Sequence, residues 1–139
     1  MNHLYIVASF VPRHTRLRIG SLREHEFERG WYAYVGSARR GRAARVARHM
    51  RADKPLRWHA DYLFSAFPPT EAWAVDTGVN ECALVEILLD ERLASRFVRG
   101  FGAGDCRCRG HLLRLDGTPG GAPWRAALAA LEARPFSGV

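Results

Sequence analysis

The segment Gly30-Trp31-Tyr32-Ala33-Tyr34-Val35-Gly36-Ser37-Ala38-Arg39-Arg40-Gly41-Arg42-Ala43-Ala44-Arg45-Val46-Ala47-Arg48-His49-Met50 contains two kinds of local order. Trp31 to Ser37 is aromatic and β-rich and lies between Gly30 and Gly36, which predicts a strand. From Arg40 to Ala52 the apolar residues Ala43, Val46, Ala47 and Met50 recur at helical spacing, with Arg42, Arg45 and His49 together on the other side. A strand, a glycine turn and a basic amphipathic helix are the expected sequence of elements.

Working outward, Leu4 to Phe10 predicts a strand, and the alternation Arg16-Leu17-Arg18-Ile19 predicts another beyond a turn at Pro12 and His14. Trp58 to Phe67 predicts a short helix closed by Pro68-Pro69. Glu71 to Val75 predicts a strand. Thr77-Gly78-Val79-Asn80 supplies turn and cap chemistry for a helix from Glu81 to about Ala94. The order to this point is βββααβα. A Gly-rich loop from Gly100 to Gly104 leads to Asp105-Cys106-Arg107-Cys108-Arg109-Gly110-His111. A short strand at Leu112 to Leu115, a turn-rich connection from Gly117 to Pro123 and a last helix from Trp124 to Ala133 follow.

The 139 residues, 47% of them hydrophobic, suffice for one domain with a core of its own. A net charge of +7 favours a polyanionic partner, because each phosphate contact releases condensed counterions. The charge is uneven. Arg39, Arg40, Arg42, Arg45, Arg48, Arg51, Lys54 and Arg57 stand against the single acid Asp53, and the N–H groups at the start of their helix add to the attraction for phosphate. A charge run of this kind also suits a merely solvated helix face. The N-terminal residues have neither the basic region nor the apolar length of a secretory signal. No stretch approaches a membrane span, so a cytoplasmic protein with reduced cysteines is expected.

Several pieces resemble one family when taken in order. They are Gly30 to Ala38, Arg48-His49, Trp58-His59-Ala60-Asp61-Tyr62-Leu63, Glu81-Cys82-Ala83-Leu84 and Phe101 to Leu112. Together they resemble the GIY-YIG nuclease superfamily and, more narrowly, its Uri-type branch, over about Leu4 to Leu115. His3-Leu4-Tyr5 stands where the first half of the signature belongs, and Tyr34 follows unusually late. An added strand from Arg16 to Ser21 would account for that spacing.

The resemblance implies an α+β domain, a small mixed or antiparallel sheet flanked by helices, that hydrolyses phosphodiester bonds in DNA with one Mg²⁺ or Mn²⁺. It makes Tyr34 the signature tyrosine, Tyr5 its partner, Arg45 the phosphate ligand and Glu81 the metal ligand. Arg45 would neutralise charge growing on the phosphate. A tyrosine is a poor base at neutral pH, so Arg45, the metal or His49 as a relay must assist it. Glu86 is the rival metal ligand, since the superfamily's glutamate often lies further into this helix. Glu81 is preferred because helical stepping puts it with Leu84, Val85 and Leu88 on the inward face, where a carboxylate needs a partner.

Other readings use the same residues. Tyr5 and Tyr34 also suit plain packing at a sheet edge, and His49 a simple phosphate contact. His59 and Asp61 serve either the site or a local cap. Cys106, Cys108 and His111, with Cys82, are ligand types suited to structural Zn²⁺; reduced cysteines packed between the loop and the helix that carries Cys82 explain them too. The alternatives in function are a non-catalytic nucleic-acid-binding module, stabilised by zinc, and a Cys-dependent hydrolase that pairs a thiol with His111.

Overall fold

Leu4–Val11 forms β1, and its almost unbroken apolar character reflects its position, covered on both faces at the middle of a sheet. The computed structural model describes residues 3–76, 78–90, 94–96, 101 and 110–136. In chain order the elements after β1 are β2 (Thr15–Arg18), β3 (Glu24–Phe27), β4 (Gly30–Ser37), α1 (Arg42–Met50), α2 (His59–Ala66) and β5 (Glu71–Val75). Then come α3 (Glu81–Asp90), β6 (Ala94–Arg96), β7 (Leu112–Leu115), α4 (Ala122–Ala130) and β8 (Arg134–Pro135). Six strands make one sheet in the order β6-β7-β4-β1-β5-β8, with antiparallel pairing throughout, while β2 and β3 pair separately. The fold is α+β, as expected, and the sheet is antiparallel rather than mixed.

Alternation along the strands separates two cores. Tyr5 and Val7 of β1, Tyr32 and Tyr34 of β4 and Leu112 of β7 meet Val46 of α1 and Ala60, Leu63 and Phe64 of α2 on one face. Leu4, Ile6, Ala33, Val35 and Leu113 meet Leu84, Val85 and Leu88 of α3 and Trp124 and Leu128 of α4 on the other. Each fully buried Leu or Phe contributes about 1.5–3 kcal/mol, so helices on both faces lock the central strands. Trp124 anchors α4 edge-on against Trp73 of β5, with ring centroids 6.1 Å apart.

Several expectations need correction. The second strand ends at Arg18, and Gly20 and Ser21, placed in an added strand from Arg16 to Ser21, lie instead in the 3-10 turn Gly20–Leu22. The partner strand β3 went unread because Glu24, His25 and Glu26 lack apolar alternation; its pairing with β2 instead sets Glu26 beside His14 and Arg16. Helix α1 starts at Arg42, after Gly41 in a left-handed conformation (φ +66°), and ends at Met50. Ala94, expected at the end of α3, begins β6, where it pairs with Leu115. The edge strand β8 was also missed. Among the described residues no helix is long and apolar enough to cross a membrane.

Candidate functional site

The site is built around the end of β4. Cross-strand register sets Tyr5 opposite Gly36 on one side and Ala74 on the other. These small neighbours make room for the phenol: a Cβ on Gly36 would sit 2.4 Å from the ring carbon and hydroxyl oxygen of Tyr5. Glycine at this position is therefore a requirement of close packing. Tyr34, two residues earlier on the same face, has its ring centroid 6.5 Å from that of Tyr5 and packs against Phe64 and Phe101.

Helix α1 covers this face. His49 was expected beside the arginines on its polar side, but it is only 1% exposed. Ala43, expected on the apolar side, is exposed instead. The helix is rotated because the imidazole finds a better site inward, among the rings of Tyr5, Tyr34, Trp58 and Phe64. There its Nε2 lies 2.8 Å from the Tyr5 hydroxyl.

Among the described residues, His49 Nδ1 is buried without a hydrogen-bond partner. A buried N–H without a partner is less tolerable than a bare lone pair. The tautomer with its hydrogen on Nε2 avoids that orphan by donating to the Tyr5 oxygen, and the buried Tyr5 O–H must then find its own acceptor, which a ligand can supply. Burial, followed by the nearby Lys54 charge, takes the His49 pKa down to about 3. Burial pushes the Tyr5 phenol up, and the Tyr34 phenol adds to this; Arg45 pulls it back, while Glu81 raises it further. At neutral pH Tyr5 is a hydrogen-bond donor held in place by a neutral histidine.

This histidine makes folding sensitive to mild acid. Above the ordinary imidazole pKa, His49 is neutral in both the folded and unfolded states. Below it the unfolded chain takes up the proton first, so stability falls until the pH reaches about 3. Between about pH 7 and about pH 5 the loss from this residue is about 2 kcal/mol. Urea unfolding of the wild type should show it, and a His49→Gln protein should lose that much less over the same interval.

Ser37, the last residue of β4, joins the two charged members of the cluster. Its carbonyl accepts a hydrogen bond from Arg45 Nη1 at 3.2 Å, and its hydroxyl donates to Glu81 Oε2 at 3.1 Å. Glu81 opens α3, whose Leu84, Val85 and Leu88 are wholly buried. Its side chain is 25% exposed and helps line a cleft of about 300 Å³ with His3, Leu4, Ser37, Arg39, Gly78, Val79 and Asn80. Glu86 lies on an exposed part of the same helix.

The basic segment divides by role. Arg39, Arg40, Arg51 and Arg57 are exposed. Arg42, Arg48 and Lys54, counted among the phosphate contacts, have internal partners. Arg42 Nη1 bonds Asp76 at 2.6 Å and the Leu4 carbonyl at 3.1 Å. Lys54 closes the end of α1 on the carbonyls of Arg48 and His49, and burial lowers its pKa to about 8. Arg48 grips Asp61 through both terminal nitrogens, at 2.5 and 3.0 Å.

Asp61 is itself fully buried and accepts the N–H groups of Arg57 and Trp58, both at 2.8 Å. Burial works to raise its pKa, but Arg48 and those two donors hold it below the usual carboxylate range. The cap reading of Asp61 is the one the geometry favours. His59 lies beside Phe101 and 3.4 Å from Ser21 Oγ, and burial lowers its pKa.

His111 is wholly buried beside β4, with its backbone bonded to Val35 and Phe101, and its Nε2 lies 3.5 Å from Cys82 Sγ. Cys106 and Cys108 lie outside the described residues. Among those described, no three His, Cys, Asp or Glu side chains come together as a metal cluster. Sequence reasoning gave no role to Ser37 or Trp58 and made Gly36 only a boundary of the strand, whereas it lies within β4; its pairing with an aromatic neighbour needed the strand register, and the other two needed the tertiary fold.

The fold and site define an antiparallel α+β domain in which two central strands present tyrosines to a basic helix. The chain belongs to the family described as domain of unknown function DUF123, whose model matches residues 4–125 and so spans every residue of the cluster. No curated protein and no solved structure matches the chain.

Proposed function

We propose that the protein is a metal-dependent endonuclease of the GIY-YIG type, close to the Uri branch, which hydrolyses phosphodiester bonds in DNA. The observation carrying this reading is the double hold on Ser37, which brings a phosphate-binding cation, Arg45, and an acid able to take a metal, Glu81, to the same strand end as Tyr5 and Tyr34. The exposed Arg39, Arg40, Arg51 and Arg57 extend the positive field along the approach to it.

A hard divalent cation suits this donor set. Mg²⁺ keeps most of its waters and needs one or two carboxylates; Glu81 offers a carboxylate at the cleft, with the Ser37 hydroxyl on its Oε2 and His111 Nδ1 4.0 Å from the same oxygen. When bound there, the metal would supply positive charge for the leaving oxygen.

The residues of the chain account for the other parts of hydrolysis. Arg45 neutralises the charge that grows on the non-bridging phosphate oxygens as a water oxygen attacks phosphorus and the bond to the sugar oxygen breaks. Tyr34, itself half-buried, orients that water. Tyr5 is fixed by His49 and donates its O–H to a phosphate oxygen. With a pKa near 3, His49 acts by positioning Tyr5 rather than by storing a proton. The proton leaving the water passes to solvent or to the departing sugar oxygen.

The test is incubation with plasmid, single-stranded and branched DNA, in Mg²⁺ or Mn²⁺ and in EDTA. Strand cleavage with metal and none with EDTA is expected. Salt-sensitive binding without cleavage of any of these DNAs would make the protein a non-catalytic nucleic-acid-binding module.

A further inference from the structure

Trp58 is 40% exposed and Leu56 48%, the two large exposed hydrophobic side chains among the described residues. Exposure of a single indole needs no explanation by itself; what sets Trp58 apart is the charged and hydrogen-bonded company it keeps. Here the backbone is fixed by the N–H of Trp58 on buried Asp61. The Arg48 guanidinium, clamped by the same carboxylate, lies 4.2 Å from the ring centroid. Arg45 lies 4.8 Å from it, and the His49 ring, bonded to Tyr5, is 6.3 Å away. The two guanidiniums lie over the indole, and its exposed part is an aromatic surface beside the cluster, next in the chain to exposed Arg57.

Resting on the nucleic-acid reading above, we infer that Trp58 is the stacking platform for an unpaired nucleobase next to the phosphate held by Arg45. The surface calls for a flat aromatic group carried on a polyanion. In a continuous duplex the base faces are already stacked on one another, and a side chain beside the backbone cannot reach them. A strand with unpaired nucleotides presents both features at once. The substrate class is therefore single-stranded or flapped nucleic acid. Because Asp61 and Arg48 hold the indole in advance, stacking costs little ordering.

Binding in EDTA separates this inference from cleavage. Fluorescence anisotropy would compare a labelled single strand with a duplex of the same sequence. The wild type should prefer the single strand. Trp58→Ala should weaken single-strand binding by about ten- to a hundredfold more than duplex binding, whose own smaller loss reports the Arg45 contact over the ring, and Trp58→Phe should keep most of the preference. Circular dichroism would check that both variants fold. Equal wild-type affinity for the two DNAs, or a Trp58→Ala loss of the same size on both, would overturn the stacking role and leave the nuclease reading standing. Failure to bind either DNA would overturn both.

Discussion

Arg45→Ala should lower DNA cleavage by about a thousandfold, the scale seen when a preorganised donor to a developing oxyanion is removed. The guanidinium is held by the Ser37 carbonyl and lies over Trp58, so it is aimed before substrate arrives and no reorganisation is needed during reaction. Its structural duties are modest by comparison: a half-buried hydrogen bond contributes about 0.5–1.5 kcal/mol, and a cation–π contact at such a site a similar amount. The loss should therefore appear chiefly in turnover, with the folded spectrum kept and the stability read from urea unfolding lowered only by the ~1–3 kcal/mol that these two contacts contribute. Arg45→Lys should recover charge without the planar fork, and a rate between the two is expected. Single-turnover cleavage under saturating protein gives the comparison. Equal rates for Arg45→Ala and wild type would remove Arg45 from the chemistry.

Asp61→Ala should have the largest effect on stability, about 3–5 kcal/mol, the range for breaking a buried ion pair by removing one partner. The carboxylate is wholly buried and holds Arg48 and two backbone N–H groups at the start of α2. Its loss leaves a cation 17% exposed without its counter-charge and frees the loop that carries Trp58. Asp61→Asn, which retains an acceptor for the helix cap, should lose less. Urea unfolding of the three proteins tests the order. The acid dependence has a distinct window. Because the folded carboxyl is held below its ordinary range, its contribution is complete above the unfolded pKa of about 3.9 and disappears as pH falls through the lower folded value. The His49 effect acts at milder acidity, so the two residues can be separated by pH alone.

Much of the architecture was readable where one physical constraint dominated. β5 and β7 fall at the predicted residues, because apolar runs bounded by turn chemistry leave few other choices. The start of α3 and the inward stripe of Leu84, Val85 and Leu88 followed from helical stepping. Where the environment decided, local pattern failed. A helical projection puts His49 with the arginines, since nothing in the neighbouring sequence announces an aromatic pocket assembled from β1, β4 and α2. β6 follows an apolar helix closely enough to look like its continuation, and only its pairing with β7 distinguishes it. β3 carries polar residues at three of four positions and exists because β2 pairs with it.

The candidate site divides in the same way. Tyr34, Arg45 and their order along the chain were visible because they belong to one local segment. The place of Glu81 in the site came from the resemblance, and the need of an inward carboxylate for a partner chose it over Glu86; in the fold that carboxylate meets the Ser37 hydroxyl and lies 4.0 Å from His111 Nδ1. Ser37 itself had no distinguishing chemistry in the sequence. Arg42, Arg48 and Lys54 resembled their neighbours as free cations, and only the folded chain provides Asp76, Asp61 and the carbonyls that engage them.

The separate β2–β3 ribbon bears on how such a domain can change over generations. It is inserted between β1 and β4, strands already adjacent and antiparallel, so the excursion can lengthen without altering their alignment, at an entropic cost that grows only logarithmically. One extra residue within β4 would have a very different result. Every side chain beyond it would change faces, Ser37 would leave the junction between α1 and α3, and Tyr5 would meet a side chain where it now meets Gly36. The permissive stretch and the intolerant one lie side by side, which gives this scaffold room to acquire new surface while its central geometry is inherited intact.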